Sequence, residues 1–180
     1  MSYSNTIKEV NSLVPNPNVQ IETISCDSDD SIPNNPKYAV LLYKNVIKQE
    51  ESPLDILNKN NWSNAWRSGI FPVHHYHSNT HEVLIVVSGN VIVQLGGEFG
   101  PHVDIQQGDV IIIPAGYGHK RVHSYHNFAV IGAYPNGQDY DFCTRNPDEW
   151  PQNIENIKNA SLPDTDPIYG TDGPLFKYWH

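Results

Sequence analysis

The chain has 180 residues, the size of one domain, and carries 11 Lys and Arg against 20 Asp and Glu, a formal charge of -9 at pH 7. An acidic balance of this size excludes a general footprint for phosphate backbones or anionic lipid, so neither nucleic acid nor membrane is expected as a partner. Cys26 and Cys143 stand in no zinc or redox spacing and the first residues show no export signal, so two free thiols in a cytoplasmic protein are expected.

Composition divides the single domain into three parts: an Asn-rich extension over 1–36, a β-rich core over 37–135 and a polar segment over 136–180 that packs on the core. In chain order, residues 19–24 alternate well enough for a strand, and Asp29-Asp30-Ser31-Ile32-Pro33-Asn34-Asn35-Pro36 reads as loop. Residues 39–47 read as a strand. Ser52-Pro53 caps and opens a short helix over 52–57. Short strands then follow at 70–77, 82–88, 91–95, 102–106, 109–113, 119–124 and 127–134. Turn residues separate them, and Gly89-Asn90 between two valine-rich runs predicts a two-residue hairpin. Both parities of 83–87 are apolar, which asks for cover on each face, from the terminal segments or from a second copy in a homodimer. Asn146-Pro147 starts a helical stretch over 146–160 that Pro151 divides into two pieces, and Leu175 to Trp179 are apolar enough to dock. Many short strands without alternating long helices predict an all-β sandwich or barrel.

Four histidines fall within eight residues: His74, His75, His77 and His81, with Glu82 directly after. Strand periodicity puts His75 and His77 on one face. Glu82 is out of phase with them unless the corner at Ser78-Asn79-Thr80 resets the parity and lets it face inward too. His119 follows the turn Pro114-Ala115-Gly116-Tyr117-Gly118 and can reach the same interior. Three neutral imidazoles and one carboxylate form an N3O set for a divalent transition metal (Fe, Mn, Ni, Zn, Co or Cu), and the lack of thiolate disfavours a structural zinc. His74 and His81 take the opposite parity and are expected at the surface, as are His102 and His126, while His180 is terminal. His123 and Arg121 share the parity of His119. His123 is a candidate general base, and Arg121 a candidate clamp for a substrate carboxylate.

The spacing resembles a family. Gly69, five residues, His75-Tyr76-His77, four residues, Glu82, six residues, Gly89 matches the first cupin motif; Gly108, five residues, Pro114-Ala115-Gly116, two residues, His119 matches the second. The flanks Ser31 to Pro36 and Asp166-Pro167-Ile168-Tyr169-Gly170 are similar to the YjlB-like group of stand-alone bacterial cupins. This resemblance implies a double-stranded β-helix, a jelly-roll barrel, with metal held by His75, His77, Glu82 and His119. It also adds a homodimer to the expectations. Four residues past the last ligand the family pattern commonly has Asn, where this chain has His123.

For such a barrel the leading expectation is a metal-dependent enzyme on a small organic molecule, a dioxygenase ahead of an isomerase. The alternative is a non-catalytic module that binds or senses a small molecule, since a fold by itself implies no chemistry.

Overall fold

In the computed structural model, which describes residues 19–180, the chain is mostly β with short helices. The region read for an export signal lies outside the described residues. Seven strands form one antiparallel sheet: β1 (Gln20–Ile24), β2 (Val40–Lys44), β3 (Trp62–Ser68), β4 (Glu82–Leu95), β5 (His102–Gln106), β6 (Val110–Ile113) and β7 (His119–Pro135). They run in the order β1-β2-β6-β4-β7-β3, with β5 paired to β4. The sheet curls into a jelly-roll barrel. Among the described residues no helix is long and apolar enough to cross a membrane.

Two strands are much longer than the sequence predicts. β4 runs through Gly89-Asn90 instead of turning there, and β7 runs through His126-Asn127. The two pair with each other along almost their whole lengths, and the register slips between Val86 and Asn90 and again between Ile92 and Val93. Gly89, His126 and Asn127 all take positive φ, at 66°, 57° and 55°. A side chain at Gly89 would meet Tyr125 O at 2.3 Å, so the partner strand crosses directly over it. What reads locally as a hairpin is therefore a bulge, where two paired strands bend together from one half of the barrel to the other. The first half of β4 bonds to β6, and the second half to β5.

Strand pleat then sorts the apolar residues. Leu84 and Val86 of β4 face the barrel interior with Val40, Leu42, Ile111, Ile113 and Val130. Val83 and Ile85 face outward into a second core with Tyr43, Leu57, Trp62, Leu175 and Trp179. The terminal segments supply the cover that these outward residues require, so this face asks for no second copy of the chain. The C-terminal helix α3 (Leu175–Tyr178) is docked as expected: Trp179 stacks on Tyr38 at 5.0 Å and its indole N–H donates to Ala39 O. Asp166 accepts from the Tyr43 hydroxyl and from the amides of Ile168, Tyr169 and Leu175, which ties the tail to β2.

The helix α1 (Pro53–Lys59) has Ser52 as its cap, as predicted. Asn146 caps a 3-10 turn (Pro147–Glu149) that leads into α2 (Trp150–Asn159), and Pro151 sits in the first turn of α2 rather than breaking it. Proline fits there because the amide it lacks has no partner within the helix. Both cysteines are free.

Candidate metal centre

Residues 70–77 do not join the sheet as a strand. They are held by single bridges, His75 with His119 on one side and Tyr76 with Cys143 on the other. Reciprocal amide bonds of 3.0 and 3.2 Å between His75 and His119 set the two imidazoles side by side, 4.1 Å between ring centroids. Ser78 and Asn79 then bend, and the Asp141 carboxylate fixes the bend by accepting from the Ser78 amide and hydroxyl. The corner resets the parity as the sequence predicts, and Glu82 opens β4 on the same inner face as Leu84. The loop before His119 is anchored by the N-terminal extension: Asn34 Oδ1 accepts from the Gly118 amide, and Asn35 Nδ2 donates to Ala115 O. Gly116 has φ 88°, and a side chain there would meet Ile157 Cδ1 at 2.5 Å and Asn34 O at 2.8 Å. Only glycine fits that turn.

One donor nitrogen from each of His75, His77 and His119 lies within 4.8 Å of the others, and all three residues are buried. The tautomers follow from their second nitrogens. Nδ1 of His75 faces Val73 O, that of His77 faces Asp141 O, and that of His119 faces Tyr117 O. A carbonyl only accepts, so each Nδ1 carries a proton and each ring, when neutral, presents a bare Nε2 lone pair. Glu82 Oε2 is 3.2 Å from His77 Nε2, and Oε1 is 3.4 Å from His119 Nε2. Lone pairs facing lone pairs in a buried site need a positive charge between them. Separations near 3 Å between donors are those of an ion with ligands at about 2.1 Å in cis positions. The residues therefore fit a divalent ion.

A proton on His77 answers the same need, and the charges of Glu82 and His77 respond to each other accordingly. Burial pushes the Glu82 carboxyl upward, but the His77 and His119 imidazoles outweigh it and hold the group well below the usual carboxylate range. Burial pulls His77 down, yet Glu82 opposite raises it above the usual imidazole value. His75 is pushed down to about 3, by burial first and by the neighbouring His119 next. The Tyr134 hydroxyl donates to Glu82 Oε2 at 2.8 Å, and Trp66 Nε1 donates to that same hydroxyl at 2.7 Å.

Other histidines depart from expectation. His74 and His81, expected at the surface, are 5% and 1% exposed. Opposite parity leads outward only where nothing covers the outer face. Here His81 packs beside Trp179 and Tyr38, accepts from the Ala115 amide and bonds to Ser161 O. His74 bonds to Gln94 Oε1. His102 and His126 are exposed as predicted, and the terminal His180 is exposed too.

The structure does not bring His123 or Arg121 to the cluster. The register slip between Ile92 and Val93 falls between His123 and Arg121, so His123 loses the parity it was read from, whereas Arg121 keeps step with His119 and is held elsewhere by its hydrogen bonds. His123 is exposed, its ring against Tyr125. Arg121 donates to Ile70 O and Ser124 Oγ. The imidazoles and Glu82 instead lie in a cavity of ≈ 270 Å³ whose other walls include Trp66, Ile70, Phe71, Leu84, Tyr134, Tyr140 and Phe142. Sequence reasoning missed these aromatic residues. A tyrosine or phenylalanine at the end of a strand or in a loop carries no spacing signal.

Residues 67–128 match a family model described as a cupin domain. The chain is 42% identical over 160 residues to the uncharacterized protein YjlB of Bacillus subtilis (strain 168), covering 89% of this chain and 97% of that one. Among solved structures it is similar to acireductone dioxygenase from Bacillus anthracis with a cadmium ion in its active centre (18% identity, TM-score 0.37). That match covers 49% of this chain and 59% of that one. It is also similar to a mutant of the Bacillus subtilis oxalate decarboxylase OxdC (20% identity, TM-score 0.34, 60% and 24% covered). A third is the coconut allergen cocosin (19% identity, TM-score 0.38, 67% and 32% covered). The chain thus spans less than two thirds of the length of each of these three structures.

Proposed function

This chain belongs to the cupin family, and on that premise we propose that it is a metal-dependent dioxygenase acting on a small organic molecule. The observation that carries the reading is the meeting of three bare Nε2 lone pairs and an ionised carboxylate at an open cavity. His75, His77, His119 and Glu82 would hold the ion, each imidazole fixed in its tautomer by a backbone carbonyl. A redox-active ion held by these four groups would supply the activation of dioxygen and of the bound substrate, and since both oxygen atoms of O2 would enter the product the reaction would need no outside reductant.

The chain's own residues supply the rest. Tyr134 keeps the Glu82 carboxylate turned toward His77 by donating to its Oε2, and Trp66 fixes the Tyr134 oxygen in turn. The aromatic walls would pack against the substrate. His123 and Arg121 have no part in this proposal, because neither lines the cavity.

The test is the metal content of tag-free protein by plasma mass spectrometry, beside a His75→Ala/His77→Ala double variant, followed by oxygen uptake with candidate substrates. We expect close to one iron, manganese, nickel or copper per chain, lost in the variant, and substrate-dependent oxygen uptake. Stoichiometric zinc with no uptake after reconstitution with iron would replace the dioxygenase by Lewis-acid chemistry or plain binding. No metal under any loading would overturn the site itself.

A further inference from the structure

We propose that the molecule admitted to this cavity is an uncharged aromatic compound that turns metal-binding polar atoms to the histidine end; the inference rests on the reading of a divalent ion there. The walls are aromatic on two sides. Phe142 lies parallel to the His75 ring at 4.9 Å and 15°, and Phe71 stands edge-on to Phe142 at 5.3 Å. On the other side Tyr140 stacks on Tyr134 at 4.6 Å and meets His77 edge-on. Phe71 and Phe142 remain 60% and 47% exposed, so the rim keeps large aromatic faces in water. An aromatic ligand covers those faces and gains stacking or edge contacts beyond simple area burial. The ≈ 270 Å³ volume exceeds the ~150 Å³ in which an apolar pocket holds benzene.

Charge narrows the class further. Among the described residues that line the cavity there is no Lys or Arg, and Glu82 is the sole acid. Arg121, the carboxylate clamp expected from the sequence, is bonded to Ile70 O and Ser124 Oγ. An anionic group at the far end of the ligand would therefore enter an aromatic wall with no counter-charge, at a heavy desolvation cost. A cationic group would find aromatic faces, which attract ammonium. It would also face a centre left with a net positive charge once a divalent ion offsets Glu82.

The experiment compares three ligands with the same vicinal hydroxyls and different far ends: 4-methylcatechol, 3,4-dihydroxybenzoate and dopamine. Binding to zinc-loaded protein is measured by calorimetry at pH 7, zinc being redox-inert, after a zinc titration of the same sample. The neutral ligand is expected to bind at least about tenfold more tightly than either charged one. Phe142→Ala should cost it roughly two- to tenfold, with zinc stoichiometry unchanged. Equal or tighter binding of the benzoate overturns the inference, and so does tighter dopamine, which would make the walls an ammonium cage. If zinc fails to bind, the metal reading falls separately. The three ligands on the metal-free chain then decide the aromatic site by the same order of affinities.

Discussion

A neutral imidazole has one nitrogen that donates and one that accepts, so a carbonyl at Nδ1 settles what Nε2 can do. That rule, applied three times, turns His75, His77 and His119 from a cluster of polar side chains into a set of acceptors with nothing to accept from. The same reasoning extends to Glu82, whose Oε2 is held by the Tyr134 hydroxyl. Tyr134→Phe keeps the ring and its stacking on Tyr140 but removes that O–H, leaving the carboxylate free to rotate and Trp66 Nε1 without an acceptor. Metal affinity should fall 10- to 100-fold, as for other outer partners of metal ligands, read by competition with a chelator. The far-ultraviolet dichroism should stay as in the parent. The clustered residues were legible from spacing, since Gly69 to Gly89 and Gly108 to His119 fit known motifs. Tyr134 was not, because its link to Glu82 spans 52 positions and two strands.

At the level of elements, β3 shows how local pattern misleads. Residues 62–68 were not read as a strand, and both Asn61 and Asn64 take positive φ there. The segment is nevertheless the edge strand on β7, with an irregular register between Ser63 and Trp66. It pairs Trp66 with Gly132, and the indole lies flat over the glycine. A Cβ at Gly132 would come within 2.3 Å of the Trp66 ring. Gly132→Ala is therefore expected to push the indole aside, break its bond to Tyr134 and cost roughly 1–3 kcal/mol through overpacking. Urea unfolding gives the loss of stability, and a shifted tryptophan emission reports the displaced ring. The bulges of β4 and β7 carry the same lesson. Gly89-Asn90 offers a turn, but whether the chain reverses depends on what is paired across it, and β7 supplies a partner on both sides of the bend.

For the whole molecule, burial of ionisable groups sets how stability responds to alkali. Tyr169 is pushed up to about 12 by burial and then by Asp166, and Cys143 to about 12 by burial and then by Asp141. Unfolded, these groups release their protons near 10 and 9. Between those values and about 12 the folded chain binds more protons than the unfolded one, so unfolding free energy falls as pH rises. Each group contributes up to about 1.4 kcal/mol per pH unit in its own window. These two groups should leave the urea midpoint unaffected up to about pH 9 and lower it steadily from there toward pH 12. A midpoint level through pH 11 would contradict the burial of both groups.

What the sequence determined by itself was which four side chains meet and their inward direction: alternation aligns His75 with His77, a polar corner turns Glu82 to join them, and a glycine-rich turn delivers His119. The two-sided apolar pattern of 83–87 likewise announced that both faces of β4 would be covered. Only the tertiary structure decided who covers them. Trp179 and Tyr38 bury His81, which parity alone would leave in water, and a register slip turns His123 away from the centre it was expected to face. The cavity's aromatic rim also belongs to the fold, with Phe71 brought from one loop and Tyr140 and Phe142 from another. The physical reason is common to all of these. Periodicity fixes which side of its own strand a residue occupies, whereas burial and contact depend on segments 60 to 140 positions away, and no local pattern encodes their arrival.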